Sequence, residues 1–333
     1  MSIDETALTV AVTGPTGTFG HGLIPLLQDE DRVARVVGIA RRPFDPAAEG
    51  WTKMEYRQGD VRDETALKEA FSGADVVVHL AFLIVGGNRD TTRAINVEGT
   101  LNAFRAAAAA GVRRFVYASS VAAYGFHRDN PVGMREDWPT RPADRLFYAQ
   151  EKAELEDLLQ DEAAQHPELQ LYLLRPPIVL GPHTVGGKAM LPGPLAPLNR
   201  YLQSGIRRLP VPLPAVVPDF PLQFIHEDDV GSALLQCVVA AGPPGAYNIA
   251  GDDVLSLVDV ARELRLIPVI TLPSRPIQTA ARAVSRLPFL PTVAEWVEAF
   301  SHPAIMDTTR AKEQLGWQPR YTGLEALQAT LDA

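Results

Sequence analysis

The residues from Leu8 to Gly20, LTVAVTGPTGTFG, limit the possible folds more than any other stretch of the chain. An apolar run, Leu8 to Val12, reads as a strand, and it passes directly into glycines at 14, 17 and 20 before the helix-compatible HGLIPLLQDE. Such a turn leaves the first backbone N–H groups of the helix unpaired and aimed, with the helix dipole, at whatever anion fills it. Gly14 permits the turn, Gly17 permits close approach of a pyrophosphate, and Gly20 permits close helix-to-strand packing. The spacing is GxxGxxG, not the GxGxxG of the usual fingerprint. Its place at the first strand-to-helix junction still points to a dinucleotide, with Thr16, Thr18 and Phe19 completing the cradle. Pro25 predicts a kink in the helix.

The units that follow repeat this plan. A second strand, Val33 to Ala40, should end beside an adenosine ribose, where an acidic residue would accept from the hydroxyls of NAD. Here Ala40 is followed by Arg41 and Arg42, which suit a 2'-phosphate through charge-assisted bonds, so NADP is preferred and NAD is the alternative; solvated loop arginines are the plainer reading. A third strand, Met54 to Arg57, leads to Asp60, an acceptor for the adenine amino group or a simple loop carboxylate, and to Val61 against the ring. Helix 64–72 returns the chain to a fourth strand, Val76 to Leu80, whose end at Leu80 and Ala81 lets a cofactor lie close; His79 is read as packed in the sheet. Gly86, Gly87 and Asn88 make a mobile connection, and Asn96 heads an alanine-rich helix, Val97 to Ala110. This alternation predicts an α/β fold of Rossmann type, a doubly wound parallel sheet with its ligand crevice at the strand carboxyl ends, where Gly14, Ala81 and Ser120 fall.

A complete acid/base set lies between Arg113 and Lys152. RRFVYASSVAAYG holds a strand, Phe115 to Ala118, that delivers Ser119 and Ser120 at its carboxyl end. In YAQEK, Tyr148 and Lys152 are four residues apart in a helix-favouring sequence, so both side chains share a face. A phenol is a poor base at neutral pH unless a cation stabilises its charged form, and Lys152 is placed to do so. Ser120 then bonds the substrate oxygen whose proton Tyr148 gives or takes. The competing reading makes YxxxK a chance pattern, with Tyr148 and Lys152 on the surface.

Beyond Lys152 the helix runs to about Ala164, and a strand, Leu171 to Leu174, is stopped by Arg175, Pro176 and Pro177. Pro176 and Ile178 border the nicotinamide, or simply end the strand. The Pro- and Leu-rich segment 181–224 reads as an apolar substrate pocket or a packed lid. In QFIHEDDV, Asp228 or Asp229 is expected to cap a helix from Asp229 to Ala240, and no metal site is expected from the acids beside His226. Tyr247 to Ile249 is a further strand, Ser256 with Asp259 opens another helix, 277–287 is amphipathic, and Asp307 to Trp317 caps the structure. The expected organisation is a dinucleotide-binding domain over 1–180, with returning elements at about 222–250, and a small C-terminal substrate-binding domain from 181–221 and 251–333. With 21% charged residues and a net charge of −9, no general basic field exists to hold nucleic acid or an anionic membrane. A single cysteine, Cys237, no secretory leader and no long apolar run fit a cytoplasmic protein.

Taken together, TGPTGTFG, GDVRD, HLAF, INVEGT, SSVAAYG, YAQEK, LRPPIVLGP, FIHEDDV, YNIAG and DTTRAKEQLGW give a chain that resembles the extended short-chain dehydrogenase/reductases, in particular the NAD-dependent epimerase/dehydratase group. The resemblance runs from Val10 to about Ala326. It implies that Ser120, Tyr148 and Lys152 are catalytic, that Lys152 and Tyr148 also hold the nicotinamide ribose region near Ala118, and that a homodimer forms through the helices around 96–110 and 152–164. Dehydratases of the group carry an Asp-Glu pair where Val121 and Ala122 stand here. Nucleotide-sugar epimerases carry an Asn after the Arg of the LRPPIVLGP-like turn and an Arg before the FIHEDDV-like strand, whereas this chain has Pro176-Pro177 and Asp219 to Gln223. The expectation is therefore an oxidoreductase interconverting a carbonyl and a secondary alcohol on a small, fairly apolar substrate. A nucleotide-sugar epimerase with tightly bound NAD is the alternative, and a non-catalytic dinucleotide sensor the second.

Overall fold

The computed structural model describes residues 7–84, 88–184, 215–264, 269–273, 275, 276, 279 and 295–332. The expectations for Gly86 and Gly87, for most of 181–224 and for nearly all of 277–287 lie outside the described residues.

In chain order the first half gives β1 (Leu8–Thr13), α1 (Thr18–Asp29), β2 (Val33–Ala40), β3 (Met54–Gln58), α2 (Glu64–Phe71) and β4 (Val76–His79). α3 (Arg89–Arg93), a π turn (Ala94–Glu98) and α4 (Gly99–Ala109) form one unbroken helical run, and β5 (Arg114–Ala118), α5 (Phe147–Gln165) and β6 (Gln170–Arg175) follow. After β7 (Ile178–Leu180), β8 (Ala215–Pro218), β9 (Pro221–His226) and α6 (Glu227–Val238), β10 (Gly245–Asn248) returns to the first sheet. Seven strands pair in the order β3-β2-β1-β4-β5-β6-β10, all parallel.

The sequence dictates this layering. In β1, Val10 and Val12 face a core with Leu23 and Leu27 of α1 and Val230 and Leu234 of α6. Ala11, between them, faces the other core with Phe71, Phe104, Phe115 and Leu155. Both faces are covered, so Val76, Val77 and Val78 of β4 run without alternation and the whole strand is buried. α1 and α6 touch backbone to backbone: a Cβ on Gly22 would stand 2.2 Å from the Glu227 carbonyl oxygen, and one on Gly231 2.0 Å from that of Gly22. α1 continues as one helix through Pro25, the proline merely omitting one backbone donor.

A smaller sheet has the order β11-β9-β7, with β11 (Val254–Ser256) antiparallel to β9. Its own core, including Phe224, Val260 and Leu327, is closed by α7 (Leu257–Glu263) and a late helix, Gly323–Asp332. Ser256 and Asp259 form a reciprocal capping box. Two expectations need correction. Asn88, whose side chain accepts from Thr91 N, opens the helical run, and Asn96 lies inside the π turn, not at a helix start. α6 is capped by His226, whose Nδ1 accepts from Asp228 N at 3.1 Å; Asp229 is buried and accepts from Arg320 N and Tyr321 N, so neither aspartate caps it. Cys237 is fully buried, and burial pushes its thiol well above the usual range. Among the described residues, no helix is long and apolar enough to cross a membrane.

Candidate active site

The strand order reverses direction between β1 and β4, and the crevice above their carboxyl ends is the place where such sheets take a ligand. Gly14, at φ +71°, lies there against the chain leaving β4, and a Cβ would come within 3.0 Å of Ala81 N. A Cβ on Gly20 would meet the Pro15 carbonyl oxygen at 1.9 Å, so the turn closes only with glycine. Gly17 caps α1 with no side chain bonded across the helix start, and no acid stands in the first turn. Thr16 and Gly17 are exposed, and Thr18 Oγ1 donates to the His183 carbonyl at 3.3 Å. This open cradle of backbone N–H groups fits a pyrophosphate, with Phe19 packed beneath it on the core.

Arg41 and Arg42 are exposed, and their main chain is fixed by bonds from Tyr56 and Gln58 to the carbonyls of 40, 41 and 42. Asp60 accepts from Arg62 N, Nε and Nη2, and that side chain holds its carboxyl below the usual range. The carboxylate expected to meet an adenine is thus already engaged. Val61 is buried against Gly99. Leu80 N and Ala81 N donate to Thr13 Oγ1. His79 is enclosed between the hydroxyls of Thr13 and Thr100 at 2.9 and 3.1 Å; burial, then the nearby Lys152 charge, lower its pKa to about 3. Asn96 bonds Leu83 N and O through its amide and donates to Glu151 Oε2 at 2.8 Å, making it a strut between the chain after β4 and α5.

The three residues expected to be catalytic come together. Ser120, two residues past β5, accepts from Ala122 N at 3.2 Å, which caps the short helix Val121–Tyr124. Val121 N donates to the Pro176 carbonyl, tying that turn to the end of β6. Tyr148 is partly exposed on α5; burial raises its pKa to about 12, and the nearby Ser120 hydroxyl opposes the rise. Lys152, one helical turn on, is buried, with Nζ donating to Tyr117 Oη at 2.9 Å and the Ala118 carbonyl at 2.8 Å. The ammonium also lies 3.6 Å from the Phe82 ring centroid and 5.9 Å from that of Tyr148. Burial lowers its pKa to about 7, against the pull of Glu156 and Glu151. Ile178 faces away from this group, against the core of the smaller sheet.

Several residues that hold the site escaped the sequence reading. Glu156, fully buried, accepts from Ser119 Oγ and from Arg175 Nε and Nη2, and Arg175 Nη1 donates to Tyr124 Oη at 2.6 Å. Tyr124 in turn donates to Asn248 Oδ1, so the network reaches the edge strand β10. Glu156 was legible as the third member of the 148, 152, 156 face. Phe82 stands edge-on to Tyr148 at 5.7 Å and Trp296 stacks on it at 5.4 Å. Nothing in the sequence around Trp296 signals that placement.

Residues 10–250 match the family model described as NAD dependent epimerase/dehydratase family. Among curated proteins, UDP-glucose 4-epimerase 2 of Oryza sativa subsp. japonica is 29% identical over 80% of this chain and 72% of its own. Among solved structures, gox2253 superposes with a TM-score of 0.76 at 24% identity, covering 98% of this chain and 97% of that one. MoeE5 in complex with UDP-glucuronic acid and NAD gives 0.73 at 24% identity, over 97% and 98% of the two chains.

Proposed function

Because the chain belongs to the NAD-dependent epimerase/dehydratase family, we propose that it interconverts a carbonyl and a secondary alcohol on a small, fairly apolar substrate, with Tyr148 as the acid/base. The observation that carries the reading is that Ser120 stands just past β5, where the Lys152 ammonium bonds the Ala118 carbonyl and lies 5.9 Å from the Tyr148 ring centroid. A nicotinamide dinucleotide, when bound, supplies or accepts the hydride. Gly14 to Gly20 would hold its pyrophosphate and Lys152 its nicotinamide ribose, while Arg41 and Arg42, with no carboxylate at Ala40, favour a 2'-phosphate and hence NADP. A phenol at about 12 is protonated at neutral pH, so Tyr148 is ready to donate to a carbonyl oxygen that Ser120 holds. In the oxidising direction a charged Lys152 lowers the cost of the phenolate.

The surroundings support an apolar substrate. Phe82 and Trp296 flank Tyr148. Gln223, in the segment where the resemblance puts a diphosphate-binding arginine, is buried and closes both ends of its amide on Met306 N and O. Nucleotide-sugar epimerisation is the second reading, favoured by the rice relative and by the UDP-sugar and NAD in the MoeE5 structure.

Tyr148→Phe tests the proposal. With NADPH and a panel of aliphatic and aromatic ketones, turnover should fall about a hundredfold to ten-thousandfold while NADPH binding, read by fluorescence, is unchanged. Substantial remaining turnover removes Tyr148 from the role. Cofactor that stays bound through purification, with no net redox product, selects epimerisation.

A further inference from the structure

We infer that the short helix Trp296–Phe300 positions the catalytic helix, and that Glu298 is the residue that fixes where Tyr148 stands. The inference rests on the reading of Tyr148 as proton donor and deepens it. α5 starts without a cap of its own, since Leu146 has no side-chain acceptor for the unpaired N–H groups of the first turn. Glu298, 152 residues away, instead holds the three residues that lead into the helix. Its Oε1 accepts from Asp144 N at 2.7 Å, and its Oε2 from Arg145 N at 2.8 Å and Leu146 N at 2.7 Å.

Glu295 adds a second carboxylate. Its Oε2 accepts from Phe147 N at 3.4 Å, and its Oε1 pairs with Arg89, whose guanidinium lies 5.1 Å over the Phe147 ring. Between the two glutamates in sequence, Trp296 stacks on Tyr148 with an interplanar angle of 27°. Both carboxylates are buried, and such groups persist only where donors satisfy them. Here the donors are consecutive main-chain N–H groups, and the negative charge lies at the helix end that favours it. One element therefore grips the catalytic turn twice, its backbone through carboxylates and its phenol through an indole. Glutamine at 298 offers one acceptor oxygen where the three N–H groups need two, so it loosens the turn without emptying the site.

The full chain, as wild type, Glu298→Gln, Glu298→Ala and Tyr148→Phe, tests this. Hydrogen exchange of residues 144–150 should quicken about tenfold in Glu298→Gln and further in Glu298→Ala, with the central sheet unchanged. Nitration of Tyr148 by tetranitromethane at pH 8, mapped by mass spectrometry, should quicken by about tenfold, the effect of one unit in phenol pKa. Nitration of Tyr56 and the binding of NADPH should not move. Wild-type exchange and nitration in Glu298→Gln would overturn the inference, and that variant alone decides it should Glu298→Ala fail to fold. Retained turnover in Tyr148→Phe would instead defeat the proposed function, because exchange and nitration report the position of the phenol whatever its chemistry.

Discussion

The two ends of the crevice are made of different materials. Over β1 to β3 the site is main chain: a turn of glycines, the bare start of α1, and small residues such as Ala81. Over β5 and β6 it is side chains, many of them charged and buried: Lys152, Glu156, Arg175 and, from far along the chain, Glu298. The first kind of site needs only that nothing intrude. The second needs every partner present, because a buried charge left alone costs far more than an omitted one.

That difference can be broken or sharpened by substitution. The largest stability loss is expected for Glu156→Ala, which strands the Arg175 guanidinium and should cost about 3–5 kcal/mol in urea unfolding. Replacing both residues with apolar ones of similar volume should recover most of that. Gly20→Ala comes next: its methyl must displace the Pro15 carbonyl, a steric penalty of about 1–3 kcal/mol that should also weaken NADPH binding. If the two substitutions affected cofactor binding equally, the contrast between the ends would be lost.

Lys152 gives a pH signature. Its folded pKa, lowered to about 7, lies below the ordinary lysine value, so between these the unfolded chain binds more protons than the native one. Stability from this group therefore rises as pH climbs from about 7 toward 10 and is lowest, and flat, below 7. Denaturation midpoints of wild type measured against Lys152→Met should diverge in that direction across the window. The smallest effect belongs to the exposed end: Arg41→Ala and Arg42→Ala should each reduce the preference for NADPH over NADH by about tenfold or less, with no change in fold stability. An unaltered preference would remove the 2'-phosphate assignment.

The same contrast explains what could be read in advance. The glycine turn, the strand ends and the one-face pair Tyr148 and Lys152 are local patterns, and the parallel sheet follows from their alternation. Asn96 was misplaced because a π turn carries the helix through it with no break in composition. The cap at His226 is masked by the three acids that follow it, of which Glu227 serves His183, Asp228 the Tyr321 hydroxyl and Asp229 the 320–321 backbone. Glu298 and Trp296 are joined to Tyr148 only through the tertiary fold, and nothing in their neighbouring residues records it.

The remote clamp on the entry to α5 also sets an order of events during synthesis. At a ribosomal rate of about 5–20 residues per second, the 152 positions separating Leu146 from Glu298 represent roughly 8–30 s in which α5 has begun to be made but its clamp has not. A product released early, even one containing every strand of the large sheet, would carry the tyrosine without the carboxylates that steady it. The steadying of Tyr148 thus waits on residues made after the large sheet is complete.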